Sequence, residues 1–446
     1  MPFTILVTMK HTVTLILLLA MLFFTAACQD READNPDEPT SQATTVPDSA
    51  DTPAPATVDT PPPILPDNNT LTVTVWVATQ FYSLEEEVAG QIVSRQIQEF
   101  ADRNPDIAIS VAAKVSSGQG GILSYLRTGR SVAPGAMPDL VLLPADQLAS
   151  AISEQLVYPL EPWISADLLA DLYPAADTLG RVDQVIVGYP YVLRNLTHLA
   201  FDRAVFTETL PATWQGVLQS PARLIVPAAG TTGADIVQQT YLALDGEFGR
   251  EDGHLVLDVD TLSNVLAFFN QARQDGNLLI ESSNIATYEE AWNFYRNGQA
   301  NMVPVTADLF LRQRASGQDT GFAPIPGPQD RLLPQVDAWV WAISSPDTAR
   351  QQIASQLIAW LISEDNLGEV SLATLSLPSR RGALERWPAD DPYIAFLKAE
   401  LELARANPMV IGASGRTALS AALFEVISTN SSPQVAAEEA NNRLSE

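Results

Sequence analysis

Trp339 and Trp341 stand two residues apart, with Asp337 just before them in the chain. In an extended segment that spacing puts both rings on one face. An aromatic ring takes the apolar face of a sugar, while carboxylates and amides take its hydroxyls. A ring beside a carboxylate also binds ammonium groups, such as those of a polyamine. Paired tryptophans in a strand serve equally well as core packing, so these residues leave several roles open.

Turnover chemistry has less support. After residue 70 the only histidines are His198 and His254, which gives no His-x-x-x-His spacing for a metal. There is no Gly-x-Ser-x-Gly elbow and no Gly-x-x-x-x-Gly-Lys phosphate loop. Gly118-Gln119-Gly120-Gly121 lacks dinucleotide spacing and reads as a flexible loop. Carboxylate pairs could act as a glycosidase acid and nucleophile. Among 53 acidic residues, however, none is singled out by its spacing. No enzyme activity, cofactor or metal is expected.

Cys28 is the single cysteine. It follows the charged pair Lys10-His11, the apolar run Val13 to Phe24, and the small residues Thr25-Ala26-Ala27. A run of about a dozen apolar residues suits a signal-peptide core and is too short for a bilayer of about 30 Å. Small residues before a cysteine resemble a bacterial lipobox, which implies a signal peptide over 1–27 and lipid attachment at Cys28. Translation from Met9 would place Lys10 directly at the start. Residues 28–70 hold nine prolines with many Asp, Thr, Ser and Ala, and this composition is expected to form a disordered tether. The chain carries a net charge of -28, and acidity on this scale disfavours nucleic acid as a partner.

The remaining residues must position any site. Leu71 to Val77 reads as a strand and about 84–102 as an amphipathic helix. Ile107 to Val111 and Asp139 to Leu143 read as further strands. Val185 to Val192 and Leu199 to Asp202 predict two strands joined by a polar turn at Arg194-Asn195, with Arg223 to Pro227 as another. Helices are predicted over 262–274, 288–297, 348–363, 393–406, 416–427 and 433–444, and strands over 300–305 and 339–343. Strands alternating with helices indicate an α/β fold with a largely parallel sheet.

The order of short motifs is similar to that of the extracellular solute-binding proteins of ABC importers, maltose-binding type. The first strand ends near Trp76, followed by Glu99-Phe100 and Asn104-Pro105-Asp106-Ile107. Pro138-Asp139-Leu140-Val141, Gly188-Tyr189-Pro190-Tyr191, Phe201-Asp202 and Pro211-Ala212-Thr213-Trp214 come next. Asn297-Gly298-Gln299-Ala300-Asn301-Met302, Pro326-Gly327-Pro328, Trp339 to Ile343, Leu377-Pro378-Ser379-Arg380 and Ser432-Pro433 complete the series. Many relatives carry glycines where Val336-Asp337-Ala338 stands here.

The resemblance implies a two-lobed periplasmic-binding-protein fold of type II, with crossing hinge strands and a helical C-terminal part. Lobe one is expected over 71–184 and 302–343, and lobe two over 185–301 and 344–446. A small solute, a carbohydrate first of all, would be captured between them by hinge closure. A monomer, lipid-anchored outside the cytoplasm, would deliver it to the transmembrane subunits of a permease. Ligands of open α/β sheets bind beyond the carboxyl ends of strands. That rule selects Gln80, Phe81, Ser117, Asp146, Tyr191, Thr232 and Asp308, with Asp337, Trp339 and Trp341 where the late strand meets the cleft. Arg416 lies where relatives often place a contact. Two alternatives stay open: the same fold binding a polyamine or other cationic solute, and a sensory or scaffold lipoprotein presenting its ligand to a receptor.

Overall fold

The computed structural model describes residues 70–81, 88–207, 210–314, 319–408 and 411–445. The expected signal segment, Cys28 and the tether lie outside these residues.

Seven strands form the larger sheet. Strands β1 (Leu71–Ala78), β2 (Ile107–Lys114) and β3 (Leu140–Pro144) are parallel, with β1 in the middle. Leu140 to Leu143 are buried without interruption, as in a strand covered on both faces. Beyond β3 lies the long strand β8 (Gln335–Ile343), antiparallel to it, and then β4 (Tyr189–Arg194), antiparallel to β8. Two short strands complete the sheet, β9 (Leu377–Pro378) beside β4 and β10 (Arg405–Ala406) beside β8.

The smaller sheet has β5 (Thr197–Asp202) at its centre, antiparallel to β6 (Met302–Thr306) and β7 (Thr320–Ala323). The chain passes from β4 to β5 at Asn195, whose φ of 62° lies in the left-handed region that asparagine tolerates. The sequence reads this turn as joining two neighbouring strands. In the structure the strands belong to different sheets, so Arg194 and Asn195 stand where the chain crosses between them. The expected strand Arg223 to Pro227 is irregular apart from isolated bridges at Leu224, although Leu224 to Pro227 are buried.

Helices follow the predicted spacing closely. The helices that bear on the cores and the cleft include α1 (Val88–Arg103), α2 (Gly233–Ala243), α3 (Val259–Gln274), α4 (Tyr288–Arg296), α5 (Ala307–Gln313), α6 (Thr348–Leu361), α7 (Glu364–Thr374), α8 (Pro392–Leu403), α9 (Gly412–Ser428) and α10 (Pro433–Ser445), of which α5 and α7 have no counterpart in the sequence reading. Capping fixes several starts. Asp258 caps α3, and Thr287 and Glu290 form a capping box that opens α4.

One apolar core gathers the larger sheet with residues of α1, α6, α7 and α8; another gathers α2, α3, α9 and α10 under Leu199 and Met302 of the smaller sheet. The opposite face of that sheet, with Ala200, Val303 and Val305, continues into the first core through Phe310 and Tyr393. This arrangement departs from the division expected from sequence. Residues 302–306 were expected with the first lobe, yet they pair with β5 in the smaller sheet. Helices α6 to α8 were expected with the second lobe, yet they pack on the larger sheet's core. Sheet membership is set by hydrogen bonds between segments about a hundred residues apart, which local pattern does not encode. Among the described residues no helix is long and apolar enough to cross a membrane.

Candidate ligand-binding cleft

The ends of β3, β4 and β8 converge with the entries to α2 and α9. A cavity of about 360 Å³ opens there, lined by Asp146, Arg194, Asn195, Gln238, Asp337, Asn407 and Arg416, among others. Its volume falls within the range of small-molecule clefts, about 300–1,000 Å³. Asp146 follows the carboxyl end of β3, and Asp337 is the register partner of Arg194 across β8 and β4. Asn407 is brought in by β10, its N–H donating to the Val336 carbonyl at 3.0 Å.

Hydrogen bonds fix much of this wall. The Asn195 amide donates to the Asp337 carboxylate at 2.6 Å. The buried Gln238 amide donates to Gln335 at 2.6 Å and to Asn407. Arg416 pairs with Asp235 at 2.7 Å, and the Tyr288 hydroxyl donates to the same carboxylate at 3.1 Å. Burial pushes the Asp235 carboxyl up from its ordinary range, against the pull of Arg416. Asp146 reaches solvent at the cavity wall, yet the surrounding atoms displace enough water to raise its pKa. The nearby Asp337 charge adds to that rise and Arg194 opposes it.

On the other flank of Arg194 lies a second cavity of about 530 Å³, lined by Gln80, Phe81, Asp308, Arg312 and Trp339 among others. A third, about 170 Å³, shares Arg194, Asn195, Asp308 and Arg312 with its neighbours. Arg194 therefore lines all three. Its guanidinium sits 5.1 Å from the Trp339 ring centroid. Phe81 meets Trp339 edge-on at 5.2 Å, and Asp308 pairs with Arg312 at 2.7 Å.

Residues 96–395 match the family model described as bacterial extracellular solute-binding protein. The chain belongs to that family. This solute-binding protein also shares the two-lobed periplasmic-binding fold with many solved structures. The cyclic alpha-maltosyl-1,6-maltose binding protein of Arthrobacter globiformis is 17% identical with a TM-score of 0.67, over 84% of this chain and 98% of that one. The sugar-binding protein MalE of Xanthomonas citri is 18% identical with a TM-score of 0.65, over 84% and 96%. A family 1 extracellular solute-binding protein of Bifidobacterium longum subsp. infantis is 15% identical with a TM-score of 0.65, over 84% and 99%. No curated protein matches by sequence.

The cleft of this solute-binding protein gathers seven of the residues singled out from sequence: Gln80, Phe81, Asp146, Asp308, Asp337, Trp339 and Arg416. Ser117 sits on an exposed loop, and Thr232 precedes α2 without capping it; neither lines these cavities. Tyr191 and Trp341 are corrections. Both are 0% exposed and pack against each other at 5.6 Å. Phe81 closes over Tyr191 from the cleft side, with ring centroids 6.4 Å apart, so these two rings form the layer beneath the wall. Trp339 lines the second cavity but is itself only 2% exposed, its face covered by Arg194.

Sequence reasoning missed Arg194, Asn195, Gln238, Asn407 and Arg312. The first two were read as a plain turn. Gln238 carries a usable signal, a polar residue one helical turn from Ala234, Tyr241 and Leu242. Asn407 carries none, since only the pairing of β10 with β8 brings it here.

Proposed function

We propose that this solute-binding protein captures a carbohydrate in the cleft around Arg194, by closure of its two lobes, and hands it to an ABC permease. The observation that carries the reading is the lining itself. Carboxylates, amides and guanidinium groups from the larger sheet, from the crossover at Asn195, from α2 and from the entry to α9 converge on one cavity. Sugar hydroxyls donate and accept at once, which suits such a mixed set. Structural neighbours include a cyclo/maltodextrin-binding protein complexed with maltotetraose and a maltodextrin-binding domain of Bdellovibrio bacteriovorus bound to maltotriose. Closure would be driven by a ligand touching both sides of the cleft. The protein would act by binding without turnover, as a monomer held outside the cytoplasm through lipid on Cys28.

A cationic solute is less well supported. An ammonium group would need the face of Trp339, and Arg194 already covers it.

Thermal-shift measurement against neutral mono- and oligosaccharides tests the reading. A bound sugar raises the melting temperature by linkage. If every sugar leaves it unmoved while another solute class raises it, the carbohydrate reading is wrong. Incorporation of labelled fatty acid by the wild type and by Cys28→Ser tests the anchor, which requires label on the former alone.

A further inference from the structure

We infer that Arg194 is the specificity-determining residue of the cleft and that, with Asp146 and Asp337, it selects an uncharged solute bearing vicinal hydroxyls. This rests on the carbohydrate reading and narrows it.

The charges in the cleft fall into two groups. Arg416 is neutralised by Asp235 and Arg312 by Asp308, each pair at 2.7 Å. Arg194, Asp146 and Asp337 have no ion-pair partner among the described residues. Arg194 is exposed and reaches all three cavities, and among the described residues its side chain meets the Trp339 ring and no carboxylate within ion-pair distance. Asp337 accepts one bond from Asn195, which leaves acceptor capacity on its carboxylate.

A guanidinium offers only donors, in a fixed fork, and a carboxylate offers only acceptors. A solute seated between them must satisfy both when closure removes water, because a buried charge left unpaired is costly. A uronate or phosphosugar would satisfy Arg194 but set its own charge against Asp146 and Asp337. A polyamine would satisfy the carboxylates and leave Arg194 without an acceptor, and an amino sugar would set its ammonium charge against Arg194. Two adjacent hydroxyls do both: their oxygens accept from the fork, and their protons go to the carboxylates. Stacking on Trp339 holds the fork in place beforehand, which lowers the ordering cost of binding.

The test is isothermal titration of the purified protein and its Arg194→Ala and Arg194→Lys variants. The probes are maltotetraose and mannobiose as neutral sugars, digalacturonate as an anion, and a glucosamine dimer and spermidine as cations. The wild type is expected to bind a neutral sugar at least about tenfold more tightly than any charged probe. Arg194→Ala should lose about 10- to 100-fold for that sugar. Arg194→Lys should fall between, since it keeps charge without the fork. In Arg194→Ala the cationic probes should gain about tenfold, because Asp146 and Asp337 are then unopposed, and this gain cannot come from misfolding. A charged probe that binds the wild type as tightly as the neutral sugar overturns the inference. So does a neutral-sugar affinity within about twofold of wild type in Arg194→Ala. A wild type silent to both neutral sugars removes this inference, while the broader carbohydrate reading then stands or falls on the thermal-shift panel.

Discussion

The guanidinium of Arg194 lies over the indole of Trp339, 5.1 Å from its centroid, and the two residues sit on adjacent antiparallel strands. The register of β4 on β8 also puts Asp337 opposite Arg194. A single pairing therefore delivers an aromatic support, a forked donor and a carboxylate to one place. Cation–π contacts of this kind contribute about 0.5–1 kcal/mol where exposed and about 2 where desolvated. Lobe closure would move this contact toward the stronger end of that range.

Asp337→Asn should weaken binding of the cognate solute about tenfold, through loss of a charged acceptor. Stability should change by no more than about 1 kcal/mol, since Asp337 is only half-buried and its structural bond is to Asn195. Titration calorimetry beside a denaturant melt separates the two quantities. Unchanged affinity would remove Asp337 from the site.

Trp341→Ala should cost about 3–5 kcal/mol of stability, the usual penalty for emptying a buried ring site. The folded fraction should still bind solute within about threefold of wild type. The opposite pattern, an intact melt with lost binding, would return Trp341 to the ligand contacts.

His198 links stability to pH. It is fully buried against the Tyr393 hydroxyl, 2.7 Å away, and burial lowers its pKa to about 4. The unfolded histidine titrates near 6.5. As pH falls below 6.5 the unfolded chain takes up a proton that the folded protein refuses until about 4. Stability is thus fully present above pH 6.5 and declines toward pH 4, by roughly 3 kcal/mol from this group. The raised pKa values of Asp235 and Glu400 act in the opposite direction, so the difference between wild type and His198→Gln is the quantity to follow. Urea melts at pH 7 and pH 4.5 should show a smaller pH dependence in the variant.

Arg331 is the partner of Glu400, whose side chain is 2% exposed. Burial raises the Glu400 carboxyl and Arg331 holds it down. Arg331→Met should destabilise the protein by about 3–5 kcal/mol at pH 7, because it strands a buried charge. The loss should shrink as pH falls and Glu400 takes up a proton. A pH-independent loss would point to packing instead.

The legible parts of this chain are those with strong local signal. The 3.6-residue spacing of α3, α4, α6 and α9 and the apolar runs of β1 and β3 are visible because each element buries one face or both. Strand ends nominated Gln80, Asp146 and Asp308, which line the cavities on either side of Arg194. Tyr191 and Trp341 failed because the ring types that suit a sugar are the same types that fill a core. Only the neighbours distinguish the two, here Phe81 above and Tyr191 beside Trp341.

Local pattern alone settled that the chain alternates strands and helices, and the order of its motifs pointed to the solute-binding family. Tertiary pairing decided the rest. It placed β6 with β5, carried the chain between sheets at Asn195, and set Arg194 over Trp339 and opposite Asp337. The reason is physical: periodicity records which face of an element is buried. Register and sheet membership depend on hydrogen bonds between segments far apart in the chain, and no local window contains both partners.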